Sequence, residues 1–266
     1  MIPSQLHIYS LYSGSTGNSF LFSLPQGAVL IDAGKNAKAL CTALRETGVE
    51  PEDIRAIFVT HEHRDHISAL PVFLKKHPVP VHLPAACAYR LADQPAAEAC
   101  LCQHPPIYTE TVCGMRFTSF PTPHDSHGSV GYRIEIPDDS GDGSVFRIGY
   151  ATDIGYVSRA VEEALEGCDA VILESNHDPE LLWSGSYPEE LKARIFSRRG
   201  HLSNPDSAAF AAHLCETGTH ALMLAHLSQE NNRPEIAYEA CLASVGSDRV
   251  RISVAQPDEV TEMRLI

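Results

Sequence analysis

Short apolar runs separated by Gly/Ser turns open the chain, at positions 7–11, 19–23 and 28–32, and their length and residue types predict three strands of a meander. The period then changes. A helical pattern at 36–47 leads to a strand at 56–60, and a helix at 68–76, a strand at 81–83 and a helix from 84 to about 93 continue the alternation.

A second group of strands, at 115–121, 129–136 and 145–152, restarts the plan, and helix 157–166, strand 170–174 and helix 188–198 extend it. Helix 205–217, strand 221–225, helix 234–244 and strand 250–254 complete it. Two mixed sheets packed face to face with helices outside accommodate both halves, an α/β four-layer αβ/βα sandwich. At 266 residues, with no linker, low-complexity tract or short repeat, the chain reads as one domain spanning 1–266.

Composition narrows the function. Residues 1–7 lack a basic stretch followed by an apolar segment, and no run approaches the roughly 18 apolar residues of a membrane span. A cytoplasmic protein with no membrane contact and no obligate protein partner is expected. Eight cysteines without a CxxC pair predict reduced thiols. The net charge of -14 argues against a generic nucleic-acid coat, so a nuclease would need a local basic patch, for which 192–199, with Lys192, Arg194, Arg198 and Arg199, is the candidate. Such a run is also a common solvated helix face.

The chemistry concentrates in His61-Glu62-His63-Arg64-Asp65-His66, directly behind the apolar run 56–60. His61 and His63, two apart on an extended segment, face one side and can hold one ion. Asp65 and His66, where the chain leaves the strand, can serve a second. Zinc accepts imidazole nitrogen and carboxylate oxygen, and two such ions roughly 3.5 to 4 Å apart can share a hydroxide. Such a site needs a further histidine for the first ion, a bridging carboxylate and a histidine for the second. His124 follows an apolar run and is the first choice, with His127 the alternative. Asp153 closes the run 146–152 and His226 closes 221–225.

His61, His63, Asp65, His66, His124, Asp153 and His226 together resemble the ligand pattern of the metallo-β-lactamase-fold hydrolase superfamily, and the similarity runs through nearly the whole chain. The segments 13–19, 174–178, 200–204 and 225–232 look like the YycJ/WalJ-type subgroup, bacterial cytosolic proteins of this fold regarded as DNA exonucleases. The resemblance implies two divalent ions, zinc first, manganese or iron also suited, and DNA or another phosphodiester as substrate. Asp153 at the bridging position and the absence of a signal peptide speak against antibiotic hydrolysis. The 73 positions between Asp153 and His226 leave no room for the inserted domain of β-CASP nucleases.

Within that expectation Asp65 orients the nucleophile while binding its ion. His201, just before a helix start marked by Ser203, Asn204 and Pro205, stands beside an anion site and serves as general acid. By similarity to a Glu-His pair in tRNA-processing nucleases of the fold, Glu174 holds the His201 imidazole. Ser15 and Asn18 in the first turn, with Ser203 and Asn204, are candidate substrate contacts, and His177 and Asp178 candidate supports for ligands. The alternative is a small-molecule hydrolase of the same fold, cleaving a cyclic phosphodiester, a thioester or a lactone. A non-catalytic metal-binding protein is a third reading.

Overall fold

The computed structural model describes residues 2–138, 141 and 143–265. In the first of two seven-stranded sheets, β1 (His7–Tyr12), β2 (Ser19–Leu24) and β3 (Gly27–Ile31) form an antiparallel meander, and β4 (Ile54–Phe58), β5 (Val81–Pro84) and β6 (Leu101–His104) extend it in parallel. The second repeats the plan. There β7 (Thr109–Val112), β8 (Met115–Pro121), β9 (Val130–Pro137) and β10 (Val145–Ala151) run antiparallel, followed in parallel by β11 (Ala170–Glu174), β12 (Ala221–Ala225) and β13 (Arg251–Val254). The last strand, β14 (Thr261–Glu262), returns to flank β1.

The sheets pack face to face through one shared core, in which Phe20, Phe22, Ile31 and Phe58 of the first meet Phe117, Tyr132, Ile148, Tyr150 and Ile172 of the second. Alternate residues of the same strands turn outward. Leu21, Leu30 and Ile57 pack beneath α1 (Ala37–Glu46), α2 (Arg64–Ile67), α3 (Leu70–Phe73) and α4 (Pro95–Glu98). Val171, Leu173, Leu222 and Leu224 pack under the helices of the other side, which include α5 (Arg159–Leu165), and, after α6 (Pro179–Ser184) and α7 (Glu189–Ile195), α8 (Asn204–Glu216) and α9 (Pro234–Val245). Strands covered on both faces explain the unbroken apolar runs at β11 and β12.

Several predicted elements change form. The helix expected at 84–93 is a 3-10 segment, Ala85–Arg90, with Cys87 and Ala88 buried. The helices expected at 68–76 and 188–198 shorten to α3 and α7. The four-residue edge strands β6 and β7, the two-residue β14 and the short α4 and α6 were not expected, because runs so short carry no readable period. All eight cysteines are free. Among the described residues no helix is long and apolar enough to cross a membrane.

Parallel pairing puts the carboxyl ends of β3 and β4 at one edge of the first sheet, and those of β10, β11 and β12 at one edge of the second. Two antiparallel steps bring the end of β8 to the same edge as β10. Strand ends of open α/β sheets are where loops can bring side chains together from distant parts of the chain.

Candidate metal centre

β4 stops at Phe58, and the chain runs on outside the ladder through a bend at Thr60 to His63, whose backbone is extended at φ -66° and ψ 150°. His61 and His63 point the same way, their ring centroids 4.5 Å apart. Glu62 between them points the other way. It accepts hydrogen bonds from Ser126 Oγ and the His127 amide, both at 3.1 Å, and lies 2.8 Å from His127 Nδ1. Although burial opposes it, those bonds hold the Glu62 carboxyl down at about 2. The strand-like alternation thus uses two residues for the site and one to grip the loop that carries His124.

His124, not His127, comes beside the early histidines, with ring centroids 5.1 Å from both His61 and His63. His127 is instead committed to Glu62 on the exposed side of the loop. The donor atoms of His61, His63 and His124 form one group within 4.8 Å, and those of Asp65, His66 and His226 form another. Asp153 lies between them: Oδ1 is 3.6 Å from both His124 Nε2 and His226 Nε2, and Oδ2 is 3.4 Å from His66 Nε2.

Four of the five imidazoles, those of His61, His66, His124 and His226, are oriented through the other nitrogen. His66 Nδ1 sits 2.7 Å from Asp32 Oδ2, while Asp32 also accepts from the Thr60 amide and hydroxyl at 2.8 and 2.9 Å. His61 Nδ1 meets Thr60 Oγ1 at 2.9 Å, and His124 Nδ1 donates to the Gly200 carbonyl at 3.1 Å. His226 Nδ1 lies 3.0 Å from Glu174 Oε1. Asp32, Asp153 and His226 all have left-handed backbone, with φ of 61, 56 and 56°. Such conformations turn the chain sharply at a strand end and cluster at functional sites.

Three inward atoms, His61 Nε2, His226 Nε2 and Asp153 Oδ2, are buried and have no hydrogen-bond partner among the described residues. Burying polar atoms unpaired costs roughly 1–3 kcal/mol each, a cost that coordination would remove. Charge points the same way. Against the opposing effect of burial, the His66 imidazole is pushed well above its ordinary value by Asp65, Asp32 and Asp153, and His226 is raised to about 10 by Asp153, Asp65 and Glu174. Burial also opposes ionisation of Asp153, yet His226, His66, His61 and His124 hold its carboxyl well below the usual range. A nest of carboxylates and imidazoles of this kind fits cations, and its nitrogen and oxygen donors suit zinc-class ions.

Glu174, fully buried, accepts from the amides of Ile154 and Leu202 at 2.8 and 3.1 Å through Oε2. Its Oε1 serves both His226 and His201, the latter at 2.8 Å. His201 borders a cleft that Ser15, Asp125, Tyr187, Arg194 and Ser228 also line.

The other expected substrate contacts are placed differently. Asn18 is fully buried and bonded to Gly14 through both ends of its amide, and it reaches Asp65 Oδ2 at 3.3 Å and His66 Nε2 at 3.2 Å, so it braces the cluster and presents nothing to the cleft. Ser203 caps α8 by accepting from the Asp206 amide. Asn204, 1 % exposed, is tied to Ser175 and Asn232. Ser15 alone of the four lies open to the cleft. Asp178 caps α6, and neither ring nitrogen of His177 has a hydrogen-bond partner among the described residues, so neither supports a ligand.

The basic run is also largely committed. Lys192 is buried and donates to the Trp183 carbonyl, Arg194 Nε pairs with Asp125 Oδ2 at 2.6 Å, and Arg198 lies 3.9 Å over the Tyr156 ring. The sequence reading missed Asp32, Glu62 and Asp125. Asp125 Oδ1 is buried with no hydrogen-bond partner among the described residues, 3.3 Å from His124 Nε2. Its position next to His124 was the available signal; Asp32, at the end of an apolar run like Asp153, offered the same one.

The family model for the beta-lactamase superfamily domain matches residues 28–227. The chain belongs to the metallo-β-lactamase-fold superfamily. Among curated relatives of this superfamily, the exodeoxyribonuclease WalJ of Streptococcus pneumoniae is 34% identical over 232 residues, 86% of this chain and 84% of that one. The exodeoxyribonuclease YycJ of Bacillus anthracis is 32% identical over 236 residues, 87% of this chain and 86% of that one. The metallo-β-lactamase-fold protein YhfI of Bacillus subtilis superposes with a TM-score of 0.71 at 17% identity, over 97% of this chain and all (100%) of that one, a likeness of fold. The family is one of hydrolases that usually bind metal ions, and the clusters around Asp153 are groups that could hold them.

Proposed function

We propose that this hydrolase is a phosphodiesterase that degrades DNA from its ends, using two divalent cations, zinc first among them. His61, His63 and His124 would hold one, Asp65, His66 and His226 the other, with Asp153 between. The observation that carries the reading is the set of unpartnered buried atoms, His61 Nε2, His226 Nε2 and Asp153 Oδ2, gathered from three distant stretches of sequence. The exodeoxyribonuclease names of relatives above 30% identity support the substrate.

When bound, the cations supply Lewis acidity, neutralising non-bridging phosphate oxygens and making water acidic enough to attack at neutral pH. Asp65, braced by Asn18 Nδ2 at 3.3 Å, orients the attacking water. His201 donates the leaving group's proton from the cleft, and Glu174 Oε1 at 2.8 Å from His201 Nδ1 fixes which nitrogen faces the substrate. Ser15, open to the same cleft, offers a hydroxyl to a phosphate oxygen. Trp183 and Phe196, exposed near Lys192 and Arg194, add faces on which bases can stack.

The committed state of Arg194 and Arg198, together with the net charge of -14, favours a second reading, a small phosphodiester or related ester as substrate. Metal-loaded protein assayed on end-labelled double- and single-stranded DNA beside bis(p-nitrophenyl) phosphate separates the two. Shortening of the DNA supports the exonuclease; turnover of the small ester with intact DNA overturns it in favour of the second reading.

A further inference from the structure

A second cluster of donors lies where the two sheets' edge strands meet. His82 on β5 and His104 on β6 stand on neighbouring parallel strands, and because His82 is in register with Cys102, His104 two positions on faces the same side. His82 Nδ1 and His104 Nε2 are 3.0 Å apart. Glu110 comes from β7, the edge strand of the other sheet, and brings a carboxylate oxygen within 4.8 Å of a ring nitrogen of each histidine. Three donors thus come from three strands and from both sheets.

Their setting is unusual for polar groups. His82 is paired in register with Phe58, a residue of the shared core, and is only 7% exposed. The rings form a continuous stack: Phe58 on His82 at 4.8 Å, His82 on His104 at 5.2 Å, and His104 on Tyr108 at 4.0 Å, with interplanar angles of 16, 21 and 8°. The aromatic walls fix both imidazoles before any ligand arrives, which lowers the entropy lost on binding.

We propose that His82, His104 and Glu110 bind a further divalent cation of the zinc class, which ties β5 and β6 of one sheet to β7 of the other at the open edge of the sandwich. Two imidazoles and a carboxylate form a zinc-type donor set, and on a tetrahedral ion with Zn–N near 2.0–2.1 Å two nitrogens stand roughly 3.3 Å apart, close to the separation here. Water completes the shell. None of the three residues shares a hydrogen bond or ion pair with the Asp153 cluster among the described residues, so the site is independent of the proposed chemistry.

The competing account is a plain hydrogen bond between the two rings, and counting metal separates them. Wild-type protein, His104→Ala and Glu110→Gln are equilibrated with buffered zinc, desalted and analysed for bound metal per chain, with far-ultraviolet circular dichroism confirming the fold. His104 and Glu110 are partly exposed, so both variants are expected to fold. Each should carry one equivalent less than wild type, whatever the Asp153 cluster holds, and turnover of bis(p-nitrophenyl) phosphate should be unchanged. Should His104→Ala prove unfolded, Glu110→Gln alone decides. Equal metal content in wild type and the folded variants overturns the proposal.

Discussion

Glu174 Oε1 sits 2.8 Å from His201 Nδ1 and 3.0 Å from His226 Nδ1, so one buried carboxylate oxygen orients the proposed general acid and a proposed metal ligand together. Burial opposes its ionisation, yet the two histidines hold Glu174 down at about 2. Substitutions on the two sides of this contact should therefore have different signatures. His201→Ala should lower kcat on an end-labelled oligonucleotide, whose alkoxide leaving group needs a proton, by about 10²–10⁴ and leave bound metal unchanged. Glu174→Gln should lower kcat and weaken metal binding together, read by steady-state kinetics and metal analysis of the same preparations. An His201→Ala enzyme with full kcat would remove the general acid from the mechanism.

Asp32 touches no substrate, yet it fixes His66 through Nδ1 and the Thr60 backbone through its other oxygen. Asp32→Asn keeps the volume and loses the charge that holds the ring. Partners of this kind are worth about 10–100-fold in metal affinity. Competition with a chromophoric chelator should show that loss, and an unchanged affinity would mean that His66 needs no such support.

A Cβ at Gly34 would lie 1.9 Å from the Asp65 carbonyl oxygen and 2.6 Å from the Asn18 amide, both main-chain atoms that cannot move aside alone. Gly34→Ala should displace the Asp65 turn. Misplacement by about 1 Å can cost 10²-fold in rate, so activity should fall by about that factor. Retained activity would show that the α2 turn can shift without disturbing the cluster.

His177 is buried, both ring nitrogens lack partners among the described residues, and burial pushes its pKa down to about 4 despite the nearby carboxylates of Glu174, Asp206 and Asp178, with His201 adding to the depression. An unfolded chain, with an ordinary histidine near 6.5, binds more protons than the folded one between those values. The neutral ring's contribution is complete above about pH 6.5 and is lost as pH falls toward 4, up to about 3 kcal/mol. His177→Leu should flatten stability between pH 6.5 and 4, measured by urea denaturation. If the variant keeps the wild-type slope, His177 is not the group responsible.

Much of the architecture was legible because two periods run through the chain. Short β-rich runs between Gly/Ser turns marked the meander, and unbroken apolar runs such as 170–174 and 221–225 marked strands that the structure covers on both faces. The short edge strands β6, β7 and β14 and the short helix α6 were not legible, since their form is set by what they pack against. At the centre, the cluster that His61, His63, Asp65, His66, His124, Asp153 and His226 form was legible as a candidate because His61, His124, Asp153 and His226 follow apolar runs and the others stand beside His61. Glu62 was overlooked as a spacer between two histidines, although its outward position is a consequence of the same alternation.

By itself the sequence determined which residue types were available and at which strand ends they emerge, because hydrophobic period and strand termination are local properties. It could not separate His124 from His127, tell that Asn18, Ser203 and Asn204 turn inward, or show that Arg194 is already held by Asp125. Those choices depend on partners as far as 69 positions away or on which side of a tight turn faces the protein, and only the packing of two sheets brings the distant partners within the few ångströms over which hydrogen bonds and ion pairs act.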